Sequence, residues 1–310
     1  MTTGRTVRFA VAIPQAFSRP HVDIGGLQTF LGRAEALGYD SVWTQEQILG
    51  TAGTLEPVTL LAYAAALTRR IRLGVAVLIT PLRSPVQLAK SLGSVDQLSG
   101  GRLIVGVGLG GRTNAYPAFG IPAARRVARF AEGIEVMKRL WTEERVTFKG
   151  NFWTLEDVAM TPKPVQRPHP PIWFGARHPD ALRRAVALGT GFIGAGSSST
   201  ADFVRQVGLV RQCLAEAGRD PASFALGKRV YLAVDADRAR AMARLREWFG
   251  WFYGNEGMAH DVAIVGSAEE CAAGLREIRA AGAELLLLNF TADDLANAEL
   301  AVREIIPRVA

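Results

Sequence analysis

The sequence predicts an α/β fold: a closed (β/α)8 barrel of the TIM type, with an insertion after strand four. Three observations carry this expectation. About eight short apolar runs alternate with longer helical patterns. The runs are continuously apolar, as parallel strands are when both faces are buried. An open doubly wound sheet shares those two features, but eight units in 310 residues suit a barrel, for which about 250 residues is typical.

The elements follow in order. RFAVAI (8–13) reads as strand one, and LQTFLGRAEALG (27–38) as a helix closed by Gly38, a residue suited to a left-handed cap. SVWT (41–44) is strand two and PVTLLAYAAALT (57–68) the second helix. IRLGVAVLI (71–79) is strand three and SPVQLAKSLGSVDQLS (84–99) helix three. RLIVGVGLG (102–110) is strand four, followed by a helix over 123–142 and a hairpin over VTFKGNFWTL (146–155). The proline-rich TPKPVQRPHPP (161–171) excludes a helix and returns the chain to strand five, IWFG (172–175). ALRRAVALG (181–189) is helix five, GFIGAG (191–196) strand six and 201–217 helix six. FALGKRVYLAV (224–234) is strand seven, before a long helix over 236–253. Ser267 caps a helix running to 282, ELLLLNF (284–290) is strand eight, and 292–306 closes the chain. The length beyond a minimal barrel lies mostly in 111–171. With no internal repeat, the expectation is one domain over 1–310.

Composition narrows the partners. The chain is 49% hydrophobic and 21% charged, enough apolar mass for a large core. The net charge is +7, and 31 of the 36 basic residues are arginine. They are scattered without a run of five, which argues against a nucleic-acid surface. No apolar window approaches a membrane span, and the first residues lack a secretory pattern. Cys213 and Cys271 are far apart, which fits a reducing cytoplasm rather than a disulfide scaffold. Helix 57–68 is apolar nearly all round, so it is buried in the monomer or in a subunit contact.

In such a barrel the active site lies at the C-terminal strand ends. Here those ends are rich in glycine and amide side chains: Gln15, Gln45, Gln47, Gly108, Gly175, Gly194 and Asn289. They carry no paired carboxylates, no metal-ligand spacing and no GxSxG elbow. Gly106–Gly111 (GVGLGG) is not followed directly by a helix, so it reads as a strand end open to a flat ligand rather than a phosphate loop. A mouth of this kind suits an enzyme whose cofactor carries the chemistry.

RIRLGVAVLITPLRSPVQLAKSLGSVDQLSGGRLIVGVGLG (70–110) resembles the bacterial-luciferase-like (LLM) oxidoreductases, which use FMN or the deazaflavin F420. GYDSVWTQEQ (38–47), PPIWFGARHPDALRRAVALGTGFI (170–193) and VGSAEECAAGLREIRAAGAELLLLNF (265–290) are similar to other parts of that family, in the same order. The resemblance implies a non-prolyl cis peptide at Ala76–Val77, forming a bulge behind the flavin ring. It places the cofactor phosphate by Gly175, Ala176 and Arg177 and by Gly194, Ala195 and Gly196. Gln47 stands where many members have histidine, so it can hydrogen-bond but not move a proton. Gly111 stands where the sugar-phosphate dehydrogenases of the family carry a glutamate, which argues against that substrate. His178 reads as a packed or surface residue and Trp43 as core. Arg112, Asn114 and Tyr116 lie near the mouth without an assigned role.

The resemblance implies an F420-dependent oxidoreductase transferring a hydride to or from an organic substrate. Two other readings stay open: an FMN-dependent monooxygenase supplied by a flavin reductase, and a flavin- or small-molecule-binding barrel without turnover. A homodimer is expected from the family. Arg83, Arg112 and Arg177 are the arginines expected to attract the oligoglutamate tail of F420.

Overall fold

The computed structural model describes residues 6–17, 21–50, 52–111 and 113–309. Eight parallel strands form the barrel: Arg8–Ala12, Ser41–Thr44, Arg72–Val75, Leu103–Gly108, Ile172–Phe174, Gly191–Gly194, Ala225–Val234 and Leu285–Asn289. Each pairs with the next, and the eighth pairs with the first, so these eight strands form a closed ring.

Helices over Ile24–Ala36, Pro57–Leu67, Pro85–Ser99, Arg126–Thr142, Pro179–Leu188, Thr200–Glu216 and Ala268–Ala281 surround it. Most begin at a side chain that takes up an orphan amide: Asp23, Glu56, Ser84, His178, Ser199 and Ser267. Ser199 with Asp202 and Ser267 with Glu270 form reciprocal capping boxes. Gly38 adopts φ +81°, just past the end of the first helix.

Helix Pro57–Leu67 buries Val58, Leu60, Leu61, Ala64 and Ala65 within this chain. Much of its apolar surface is therefore covered without a partner subunit.

The 111–171 segment holds a 3-10 turn over Thr113–Phe119, the helix Arg126–Thr142 and an antiparallel hairpin of Val146–Lys149 with Thr154–Val158. Its proline-rich return is pinned by Asp96. That buried carboxylate accepts from the Val165 amide at 2.7 Å, the Gln166 amide at 3.0 Å and Gln166 Nε2 at 2.7 Å.

Three features depart from the sequence expectation. The run 71–79, read as one strand, is divided into Arg72–Val75 and Leu78–Ile79 at the cis Ala76–Val77 peptide that the family resemblance implied. Ala16–Phe17 and Gly53–Thr54 form a small antiparallel ladder, too short to leave a periodic signal. Ala263–Gly266 pairs in parallel with the far end of strand seven, Tyr231–Val234. With helix Arg238–Tyr253 it covers a second core of Tyr231, Leu245, Phe249, Ala259 and Val265.

Two tryptophans fill the barrel. The Trp43 and Trp173 rings lie 5.6 Å apart. They fit because neighbouring strands carry glycine: Gly74 is the cross-strand partner of Trp43, and Gly191 that of Trp173. A Cβ on Gly74 would overlap the Trp43 ring, and one on Gly191 or Gly227 would come within 2.8 or 2.9 Å of the Trp173 ring. These rings form the floor of the mouth.

Candidate active site

Above that floor, one side of the mouth is apolar. Val77 projects from the strand-three bulge toward strands four and five. A Cβ on Gly108 would come within 2.7 Å of Val77 Cγ2, and one on Gly175 within 3.1 Å of Val77 Cγ1. A Cβ on Gly106 would overlap the Val75 carbonyl oxygen. The glycines therefore make room for strand three rather than for a ligand, which revises the open-strand-end reading. What faces the mouth is Ala76 and Val77 themselves, half-buried against the Trp43–Trp173 floor.

The other side is polar and tightly bonded. The inward faces of strands two, seven and eight supply Gln45, Arg229 and Asn289. Arg229 Nε donates to Asn289 Oδ1 at 2.9 Å, and Nη2 donates to Gln45 Oε1 at 2.6 Å and to the Tyr231 hydroxyl. Gln45 Nε2 donates to Asn289 Oδ1 at 2.8 Å, and Gln15 exchanges two bonds with the Gln45 backbone. The Tyr231 and Tyr253 hydroxyls are 2.7 Å apart. Arg229 is 7% exposed, with its Cζ 4.8 Å from the Tyr231 ring centroid. Burial raises the Tyr231 phenol well above its ordinary value, with Arg229 pulling it back.

A cationic corner lies at the ends of strands five and six. Arg177 Nη2 donates to the Ser197 carbonyl at 3.1 Å and to the Ser197 hydroxyl. Beneath the same loop, Lys228 is 2% exposed, and Nζ donates to the carbonyls of Ala195 (2.5 Å), Ser198 (2.9 Å) and Arg229 (3.0 Å). Burial, Arg229 and Arg177 lower the Lys228 ammonium to about 7, while Asp202 works the other way. Three carbonyl acceptors match the three N–H donors of the charged form. Gly196 packs on Arg229 and Tyr231, where a Cβ would come within 2.9 Å of the Tyr231 ring. The loop therefore joins the cationic corner to the polar side of the mouth.

The structure brings Ala76, Val77, Gly108 and Gly175 together at the bulge, and Ala176, Arg177, Gly194, Ala195 and Gly196 around the corner. Three assignments need correction. The Gly175 amide donates to the Val107 carbonyl at 2.9 Å, so it belongs to the sheet and does not point at a phosphate. The Gln47 side chain folds over Gly50, where a Cβ would overlap its amide, while Gln45 occupies the mouth. Glu46 turns the other way, to the Ile79 amide and Arg83. Arg83 also meets Glu56 at 2.8 Å, so its charge is answered within the chain and is not free for an acidic tail. Tyr116 is buried and donates to the Leu109 carbonyl at 2.9 Å. His178 caps helix five, accepting from the Asp180 amide at 3.2 Å. Gly111 is exposed with nothing packed against it. Arg112 and the Asn114 side chain lie outside the described residues.

Sequence reasoning placed Gln45 and Asn289 at the mouth without a role and missed Lys228 and Arg229. The signal was the period of two: with Gly227 facing the barrel, Arg229 and Tyr231 face it too. Among the described residues, no helix is long and apolar enough to cross a membrane, and no group of three His, Cys, Asp or Glu side chains could hold a metal.

Comparison with known proteins shows the family and the fold. A model of the luciferase-like monooxygenase family matches residues 7–285. An F420-dependent glucose-6-phosphate dehydrogenase of Kineococcus radiotolerans is 33% identical over 236 residues, 72% of this chain and 68% of that protein. Among solved structures, the monooxygenase RslO1 from Streptomyces bottropensis superposes with a TM-score of 0.82 at 26% identity, over 98% of this chain and 100% of its own. An F420-dependent secondary alcohol dehydrogenase in complex with an F420–acetone adduct shares the fold, with a TM-score of 0.86 at 21% identity, over 98% of this chain and 99% of its own.

Proposed function

This chain belongs to the luciferase-like monooxygenase family, and from that premise we propose that it is an F420-dependent oxidoreductase transferring a hydride between the deazaflavin and an organic substrate. The observation that carries the reading is the apolar bulge at Ala76–Val77, set on the Trp43–Trp173 floor beside a separate cationic corner. A flat ring and a phosphate have those two requirements. The dependence of the Kineococcus relative on F420 favours the deazaflavin.

The residues fit the group. Ala76 and Val77 would back the ring, and Trp43 and Trp173 would keep water from beneath it. Arg177, Ser197 and the loop amides of Ala195–Ser197 would hold the phosphate. When bound, F420 would carry the hydride to or from the substrate and, with carbon in place of the ring nitrogen that supports oxygen activation in flavins, would need no oxygen. This chain's own part is to bind, orient and exclude water. A sugar phosphate is a poor fit, because Gln47 is an amide folded over Gly50 and Gly111 has no side chain.

The test is titration of the cofactor-free protein with F420 and FMN at two salt concentrations, then anaerobic turnover. F420 is expected to bind about tenfold to a hundredfold more tightly, the gap narrowing with salt as tail charges are screened. Arg177→Ala should weaken F420 by a further ~1.5–3 kcal/mol, the worth of a charge-assisted hydrogen bond. Tight FMN binding, no F420 binding and a strict need for oxygen would replace this reading with a flavin monooxygenase.

Lys228 gives the binding a pH signature. Its folded value of about 7 lies below its ordinary one, so the free protein is largely neutral there at pH 8.5. A phosphate beside Arg177 favours the charged form and draws a proton in. Affinity should rise as pH falls from 9 to 7, with net proton uptake seen by calorimetry in buffers of different ionisation enthalpy. Uptake that persists in Lys228→Met would assign the proton elsewhere.

A further inference from the structure

Arg229 is a buried cation without a countercharge. Its partners are two amide oxygens and a phenol, and among the described residues no carboxylate lies within ion-pair distance. Nε and Nη2 are engaged, while no described residue accepts from Nη1. A guanidinium is a permanent charge, and removing it from water without an anion is costly. The network holds it in one orientation regardless, as a preorganised recognition group must be held.

Its place in the ring shows what it faces. Strands three and seven are four apart in a ring of eight, so Arg229 stands across the mouth from the Ala76–Val77 bulge. On the reading above, a ring backed by the bulge turns its other face toward Arg229, and the reacting molecule lies between them. Next to Arg229 the half-buried Tyr253 and Trp248 make an aromatic wall over the fully buried Tyr231. Tyr231 leads to Tyr253 through their hydroxyls, and the Trp248 ring centroid is 5.3 Å from that of Tyr231.

We propose that Arg229 is the substrate anchor, and that the substrate is an organic carboxylate with an apolar body. One carboxylate oxygen takes the Nη1 hydrogens, and the body lies against Tyr253 and Trp248, which are half-buried where Tyr231 is not accessible. The donor set favours a carboxylate over a phosphate dianion. One N–H of each of Gln15, Gln45 and Asn289 is already used within the network, and Arg229 is its single cation, which matches a carboxylate monoanion better than a phosphate dianion. The inference rests on the cofactor reading only for which face of the ring is open.

The test uses the cofactor-free protein. Benzoate and the neutral isostere benzamide are titrated while tryptophan fluorescence is followed. Benzoate is expected to bind at least about tenfold more tightly than benzamide, the range of a charge-assisted bond. Arg229→Gln should abolish that preference, and Arg229→Lys should retain part of it. F420 affinity measured directly on Arg229→Gln should change by less than about threefold, because the cofactor's contacts lie elsewhere. Equal binding of the two probes, binding of neither, or unchanged benzoate affinity in Arg229→Gln overturns the proposal. Loss of F420 binding in Arg229→Gln with benzoate binding intact also overturns it, since Arg229 would then serve the cofactor. If Arg229→Gln does not fold, loss of the anion preference in Arg229→Lys overturns it. Discrimination of benzoate from benzamide through Arg229 supports the anchor whether or not the wild type binds F420, so the two readings fail separately.

Discussion

Replacing Arg83 by methionine is expected to destabilise the protein by about 3 kcal/mol, the lower end of the ~3–5 kcal/mol seen when one partner of a buried ion pair is removed. Glu46 has a fully buried side chain, and Arg83 is 19% exposed. The carboxylate accepts from the Ile79 amide and from Arg83, whose Nη2 also reaches Glu56 at 2.8 Å. Glu56 in turn caps helix two through the Thr59 amide at 2.7 Å. One guanidinium thus ties the end of strand two, the far side of the strand-three bulge and the start of helix two. Without it, Glu46 would keep only the Ile79 amide.

The pH dependence separates this from a packing loss. Burial already raises the Glu46 carboxyl above its ordinary value, while Arg83 and the Ile79 amide oppose the rise. In Arg83→Met the opposition falls, and the folded state binds a proton that the unfolded state releases near its ordinary value. A raised folded value means stability present at low pH and lost as pH rises through it. The deficit should be largest near pH 8 and shrink toward pH 5. Urea unfolding at both pH values measures it. A deficit independent of pH would mean that the charge of Glu46 is not what Arg83 answers.

Much of the barrel was legible because its strands are buried on both faces and bounded by glycine, proline or a cap. SVWT occupies its expected residues, and Ser84 and Ser267 cap the helices that follow them. The site was legible unevenly. The bulge came from family resemblance, since Ala-Val in an apolar run carries no local mark. Gln47 came from a motif position, whereas the pleat points to Gln45: Trp43 faces inward, so Gln45 does too. Lys228–Arg229 in ALGKRVYLAV looks like a pair of solvated charges. Their burial depends on loop 195–198 and on strands two and eight, which only the closed barrel brings near. The strand Ala263–Gly266 depends similarly on strand seven running past its neighbours.

Gly106→Ala should be the most damaging single-methyl change in the barrel, costing ~3 kcal/mol or more, at or above the usual ceiling for overpacking. The added Cβ would overlap the carbonyl oxygen of Val75, and its next neighbours are the Val75 carbonyl carbon at 3.0 Å and Val77 Cγ1 at 3.2 Å. The first two are backbone atoms, so no rotamer change relieves the contact. Strand three must move, and it is held on both sides, with Val42↔Leu73 pairing to strand two and Gly74↔Ile104 to strand four. Any shift carries Ala76 and Val77 with it, so ring binding should fall along with stability. Gly108→Ala is the graded comparison: its Cβ would meet only the Val77 side chain closely, at 2.7 Å, and should cost less. Gly111→Ala is the control, with nothing within 4 Å, and should lie within about ±0.5 kcal/mol of wild type, as surface substitutions do. Denaturant midpoints for the three variants, with m-values compared, order them. If Gly106→Ala were no worse than Gly111→Ala, strand three would not rest on strand four as described, and the apolar wall of the mouth would lose its support.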